Sequence, residues 1–282
     1  MPLQPSGIHG QLLIIHTRSG TLRDGPMLLL RTLILTLFIS VPAYASGLNT
    51  EQSVFELSVN VKTLLLKYYH VQADEGNPQL VAELLNHRQH VSEQQASVLK
   101  QLGSEYGNYQ IGISEHWIEF NRLLDQNIKE VRESNYPELQ VVTLMRATQR
   151  ALLSELDQLS ESILLDNEVS LNELDLWQRR QKGLMLDVVE RYIERAASSM
   201  GAPLTIDEVD IAVVCKQFER GITELQGKTT SQEAQQQLNK IRSQWLFIER
   251  AATDNNARLV PFLVMRYTHT ILGRLDSIEN FI

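Results

Sequence analysis

The chain has 282 residues, enough for one large domain or two small ones, and its 34 acidic against 26 basic residues give a formal net charge of −8. That acidity, with no clustered Lys and Arg, argues against nucleic acid as a partner. The single cysteine, Cys215, excludes an intrachain disulfide, and few aromatics, Gly and Pro beside abundant Leu, Gln, Glu and Ser favour helices.

Met27-Leu28-Leu29-Leu30-Arg31 opens a short basic region, Leu33 to Val41 is apolar, and Ala43-Tyr44-Ala45 has the small-residue spacing of a signal-peptide cleavage site. Residues 1–45 therefore read as a leader plus signal peptide cleaved after Ala45, with Met27 as the expected true start. The apolar core is short of the roughly 20 residues of a membrane span. An uncleaved anchor is the alternative. Removing three Arg and one Asp with these residues takes the formal charge from −8 to −10. The expected location is the periplasm or the outside of the cell.

The first helix is expected from a capping box at Asn49 and Gln52 to about Gln72, with Val54, Leu57, Val61, Leu64 and Leu65 on one face. Ala73 to Asn77 is a turn, and Asn77 followed by Pro78 opens the second helix. Turn residues between Gly103 and Gly112 break the chain before a third helix with Trp117, Phe120, Leu124, Ile128 and Val131. Pro137 opens a fourth, whose Leu139, Val142, Met145, Leu152, Leu156, Leu159 and Ile163 recur at three- and four-residue steps. After a linker at 166–169, capping boxes at Ser170/Glu173, Thr205/Glu208 and Thr230/Glu233 open three more helices, and Pro261 opens the last. Short connections force antiparallel neighbours. The expected fold is all-α: two tandem antiparallel up-down four-helix bundles, 50–164 and 170–282, each of ordinary domain size.

The two halves repeat each other. Trp117-Ile118-Glu119-Phe120 matches Trp245-Leu246-Phe247-Ile248. Met145-Arg146-Ala147-Thr148 matches Met265-Arg266-Tyr267-Thr268, and Leu156-Asp157 matches Leu275-Asp276. Gly76-Asn77-Pro78 matches Gly201-Ala202-Pro203, with Tyr68 and Tyr192 at similar distances before them. These motifs, with Arg180-Gln181-Lys182-Gly183-Leu184, resemble the PilJ-like periplasmic sensor domain of type IV pilus methyl-accepting transducers and the NarX-like domain of nitrate sensor kinases. The resemblance covers the second half more closely than the first. It implies a usually dimeric four-helix bundle that senses a ligand outside the inner membrane. In the nitrate-sensing branch, arginine from the first helix contacts the anion across the dimer axis. By position that role falls to Lys182, with Arg180 close by, as the residues for an anion or acidic group. Lys lacks the planar fork that matches nitrate, Asp187 nearby repels anions, and the first repeat has only Glu56-Leu57-Ser58-Val59-Asn60 there. Nitrate is therefore disfavoured.

Other constellations point away from chemistry. Glu83, His87, His90 and Gln94 share one stripe, but no helix offers the Glu-x-x-His pairs of di-iron bundles, so no metal is expected. His70, His116 and His269 read as capping or surface residues. Arg179, Arg180 and Lys182 beside Trp177 read as a solvated basic face in preference to a partner patch. Cys215 in Ile211-Ala212-Val213-Val214-Cys215 reads as a core residue, and Trp117 and Trp245 as core anchors. No nucleophile–base pair, phosphate loop or haem-attachment motif is present, so no catalytic residue and no cofactor is expected. The expected function is that of an exported non-enzymatic sensory or binding protein, without the membrane-spanning and signalling parts of the receptors it resembles. Candidate partners are a small anionic ligand, an envelope receptor or pilus protein, and a second copy of the chain. The alternative is a structural helical scaffold or spacer of the cell envelope.

Overall fold

The computed structural model describes residues 41–198, 210–254, 256 and 258–282, and every regular element among them is a helix. The leader, the basic region and nearly all of the apolar stretch of the expected signal peptide lie outside the described residues, as do Gly201-Ala202-Pro203 and the Thr205/Glu208 box. Helix α1 spans Val41–Ala73, α2 Pro78–Gln101, α3 Gly107–Ser134 and α4 Leu139–Asp166. Helix α5 spans Glu173–Ala197, α6 Ile211–Lys228, α7 Gln232–Thr253 and α8 Pro261–Ser277. A 3₁₀ turn at Ser104–Tyr106 precedes α3. No described helix is long and apolar enough to cross a membrane.

Local chemistry sets most boundaries. The Asn77 side chain accepts from Gln79 N at 2.9 Å with Pro78 at the first helical position, and the left-handed Gly76, at φ +78°, closes the preceding turn. Ser231 caps α7 by accepting from Ala234 N. Three expected caps move, that of α7 by one residue from Thr230 to Ser231. Helix α5 is capped by Asn172, which accepts from Asp175 N at 2.9 Å, two residues later than the Ser170 box. There Glu173 and Asp175 fall in the first turn, where the helix dipole favours negative charge. Asn49 caps nothing, because α1 is already helical at Val41. Its carbonyl accepts from Ser53 Oγ, and Gln52 turns to Glu56 and Arg179 rather than back to Asn49. Gly47 lets α1 pass the end of α4, since a Cβ there would lie 2.7 Å from Asn167 Cγ.

Two packing circuits follow from the contacts. Helices α5, α6, α7 and α8 touch in sequence and α8 returns to α5. Helix α3 packs on α4. Asn60 bonds Gln94 between α1 and α2, Arg88 pairs with Asp125 between α2 and α3, and Ser160 bonds Glu51 between α4 and α1. Residues Tyr44–Ile282 form one compact unit.

One expectation about α1 is too modest. Leu64, Leu65 and Leu66 are consecutive and all buried, as are Tyr68 and Tyr69. A helix with a single core-facing stripe leaves some of such a run exposed, so α1 is covered on more than one side. Helix α5 shows the same with Met185, Leu186, Val188 and Val189. The second cover of each is the other. Glu51 and Gln52 bond Arg179, Lys62 bonds Asp187, and Gln72 bonds the Ala197 carbonyl, at sequence separations of 128, 127, 125 and 125. A nearly constant separation along both helices means that α1 and α5 run parallel and in register.

Candidate functional site

The seam between α1 and α5 gathers the basic residues singled out in the sequence and separates them. Arg179 forks onto the Glu51 carboxylate, one bond of 2.6 Å and a second from Nη1, donates to Gln52 and lies 4.4 Å above the Phe55 ring. Glu51 is wholly buried, so this bidentate pair is what satisfies its charge. Lys182 is buried as well; its ammonium pairs with Asp276 of α8 and lies 5.4 Å from the Phe55 ring. Arg180 is exposed, and two residues apart on a helix do not face each other. The expected solvated basic face is thus reduced to Arg180. The charge pattern of α5 does not carry this information, because Glu51 and Asp276 lie far away in sequence.

Below this seam, α4 crosses onto α5 through a buried ionic cluster. Arg146 is 4% exposed. It donates from Nε to Glu190 at 3.2 Å and from Nη1 to Glu194 at 3.3 Å, and Glu194 is wholly buried. Burial pushes the Glu190 carboxyl above its ordinary range, against the pull of Arg146 and Lys62. A groove of about 480 Å³ opens over this cluster. Arg146 and Gln149 belong to its lining, as do Lys62, Arg150, Asp157 and Glu190. Gln149 is 1% exposed, and its amide nitrogen has no partner among the described residues.

A second groove, about 670 Å³, lies where α8 meets α1 and α2. It occupies the corresponding place in the repeat. Along these uninterrupted helices the Leu156/Leu275 match sets Met265 against the buried Arg146, while Arg266 is exposed, and the Tyr68/Tyr192 match sets Leu66 and His70 against Glu190 and Glu194. The acidic floor of one groove is replaced by leucine and histidine in the other, and Pro261, Phe262 and Leu263 add apolar wall. His70 is buried rather than at the surface, and burial lowers its pKa.

The remaining sequence candidates are structural in their surroundings. His87 turns its Nε2 to the Asn60 carbonyl at 3.2 Å, while His90 is exposed, and no group of metal-ligating side chains forms among the described residues. Burial holds the His87 imidazole down to about 4. Cys215 is buried and its thiol is pushed up to about 12, mainly by desolvation. Trp117 stacks on Phe120 of its own helix at 5.9 Å, whereas Trp245 stacks at 4.0 Å on Phe218 of the preceding helix. Both are buried, but the aromatic partner has changed helix between the halves. The sequence analysis missed Glu51, Arg146, Gln149 and Glu194. A charged or amide residue falling in the apolar register of a helix was the available signal for the Arg146 and Gln149 positions. No family model, curated protein or solved structure matches the chain.

Proposed function

We propose that the chain is an exported, non-enzymatic binding or sensory-accessory protein made of two four-helix units, about 50–164 and 170–282, similar to the PilJ-like and NarX-like sensor domains. In this reading the two units form within one polypeptide the pair that such domains form as a dimer. They hold a small ligand where one unit meets the other and present the result to an envelope receptor or pilus component. The observation that carries the reading is the parallel, in-register contact of α1 with α5, together with the corresponding grooves where α4 meets α5 and α8 meets α1. The grooves suit a ligand better than the Arg180 and Lys182 pair, because Lys182 is already engaged by Asp276 and Arg180 faces elsewhere.

A ligand that binds only the folded state raises its stability by mass action. Thermal-shift screening of the exported protein against anions, amino acids and other small metabolites is the direct test. At least one concentration-dependent rise in Tm is expected. A flat screen together with capture of an envelope protein moves the function to docking, and a flat screen without capture leaves the scaffold alternative. That alternative draws on the same seam, whose ion pairs tie α1 and α4 to α5. Export is tested by N-terminal sequencing of the periplasmic fraction, with Ser46 as the expected first residue. An intact leader on the exported form refutes the cleavage.

A further inference from the structure

We infer that the groove where α8 meets α1 and α2 binds a linear alkanoate, with the carboxylate at the first turn of α8 beside Lys67 and His70 and the chain along Leu66, Met265 and Leu272. The inference rests on the binding-protein reading above and names the ligand class for one of its two grooves.

The place of the carboxylate is set by an unanswered positive pole. Helix α8 starts at Pro261 with no side-chain cap and no acidic residue in its first turn. Pro261, Phe262 and Leu263 of that turn line the groove. The first N–H groups of a helix and its dipole favour an anion. His70 is a second, independent feature. It lines the same groove, is 8% exposed, and its ring makes no hydrogen bond or ion pair among the described residues. Burial lowers its pKa, so the ring is neutral at pH 7 and has one N–H to donate to a ligand oxygen. Lys67 stands one turn before His70 on α1, lines the groove, and its ammonium likewise makes no hydrogen bond or ion pair among the described residues. The α1–α5 register sets Tyr192 level with Lys67, and Tyr192 accepts from Val260 N at 2.6 Å. The start of α8, Lys67 and His70 therefore share one level.

The rim limits the ligand to a single negative charge. Asp74 and Glu83 line the groove as well, and their fields reach His70 together with that of Lys67. Both are exposed, so solvent screens them, and each accepts an amide hydrogen, from Asn77 at 2.8 Å and Gln79 at 3.3 Å. Arg266 on the α8 lip has no carboxylate partner among the described residues and balances them with Lys67. A ligand with a second carboxylate meets Asp74 or Glu83 with like charge.

The rest of the groove is apolar where its counterpart is ionic. The positions of Arg146, Glu190 and Glu194 in the other groove are Met265, Leu66 and His70 here, and Leu80 and Leu272 extend the wall. The lining runs from Thr63 to Asp74 on α1 and from Pro261 to Leu272 on α8. Each span is about 16 Å along its helix at 1.5 Å per residue. An extended hydrocarbon chain covers a wall of that length, whereas a free amino acid or inorganic anion leaves most of it wet. With the other groove floored by charge, one alkanoate per chain is expected.

Calorimetric titration of the full chain tests this with hexanoate, octanoate and decanoate below their micellar concentrations. Octanol, suberate and leucine are the controls. One alkanoate should bind per chain, with affinity rising about fourfold for each added methylene. Each control should bind at least tenfold more weakly than octanoate. Lys67→Gln should weaken octanoate at least tenfold and leave octanol unchanged. Lys67 is half-buried and without an ion pair, so this variant should keep wild-type helicity and Tm. Met265→Glu should abolish alkanoate binding, and Lys67→Gln decides the matter if that variant misfolds. No alkanoate binding, an affinity independent of chain length, a control that binds as tightly as octanoate, or an unchanged Kd in Lys67→Gln overturns the assignment. If another small molecule binds equally well to wild type and Lys67→Gln while alkanoates do not bind, this assignment falls and the binding-protein reading stands. If nothing binds, both fall.

Discussion

Replacing Arg146 with Met is the perturbation that most directly probes how the halves are joined. Met keeps the length and apolar stem of the side chain and removes the charge. Glu194, wholly buried, and Glu190, with 17% of its side chain exposed, then lose the guanidinium that both use. Removing one partner of a buried ion pair typically costs about 3–5 kcal/mol, because the remaining charge stays desolvated. Arg191 lies 3.8 Å from Glu194 on the same helix and offsets part of this, so a loss of about 3 kcal/mol is expected. Urea unfolding followed by far-UV circular dichroism measures it. Adding Glu194→Gln to Arg146→Met should return about half of the loss, since a neutral amide tolerates the buried site better than a carboxylate deprived of this guanidinium. A pH series gives a second handle. The Glu190 pKa is raised by burial in the folded protein, so the folded state holds that proton more tightly than the unfolded state. Its contribution is present below the unfolded carboxyl value of about 4.3 and is lost as pH rises through the raised folded value. Without Arg146 that value rises further, so the variant should recover stability on mild acidification more than the wild type does. A loss under 1 kcal/mol, or a double variant no more stable than the single one, would refute the claim that Arg146 is the main counter-charge of these buried carboxylates.

Other positions yield separate tests. His87 is neutral in the fold down to about 4 while its unfolded value is near 6.5, so its contribution is present above pH 6.5 and lost as pH falls towards 4. Ring NMR titration should report that low value, and a midpoint above 6 would contradict the desolvation of the ring, since the Asn60 carbonyl alone acts in the opposite direction. Cys215 should resist iodoacetamide in the folded protein at pH 8 and react at once in urea; equal rates would contradict its burial and raised pKa. Trp245→Ala should cost about 3–5 kcal/mol by thermal or urea unfolding, because the ring is fully buried against Phe218; a loss under 1 kcal/mol would contradict that packing. Asn77→Ala should cost about 1 kcal/mol as a lost cap, whereas Asn49→Ala should cost little, since Asn49 caps nothing; equal losses would contradict the helix start at Val41.

The all-helical character was legible because heptad-like spacing and Asn, Ser and Pro caps are local signals. Asn77-Pro78 and Pro261 open α2 and α8 where the sequence places them. Where two capping residues compete within three positions, as Ser170 and Asn172 do, the pattern alone does not rank them, and the first-turn acids decide. The start of α1 was misplaced because a capping box is only an option; Gln52 finds better partners in Glu56 and Arg179. The site was legible only in part. Lys182 and Arg179 stood out as charges, but their carboxylate partners, Asp276 and Glu51, come from helices far off in sequence. Arg146 was visible inside a repeated motif without any sign that it would be buried while the motif's second arginine, Arg266, stays exposed. Such differences are long-range, and no window along the chain reports them.

The parallel course of α1 and α5 has a consequence for how the halves can change. A pair assembled from identical chains carries every substitution twice and separates on dilution. Here the joining segment between α4 and α5 holds each half beside the other at a fixed high effective concentration, whatever the amount of protein. Dilution therefore exerts no selection on the contact, and a buried ion pair such as Arg146 with Glu194 can arise at one groove while the position matching Glu194 holds His70 at the other. The covalent tether is what permits the halves a division of labour.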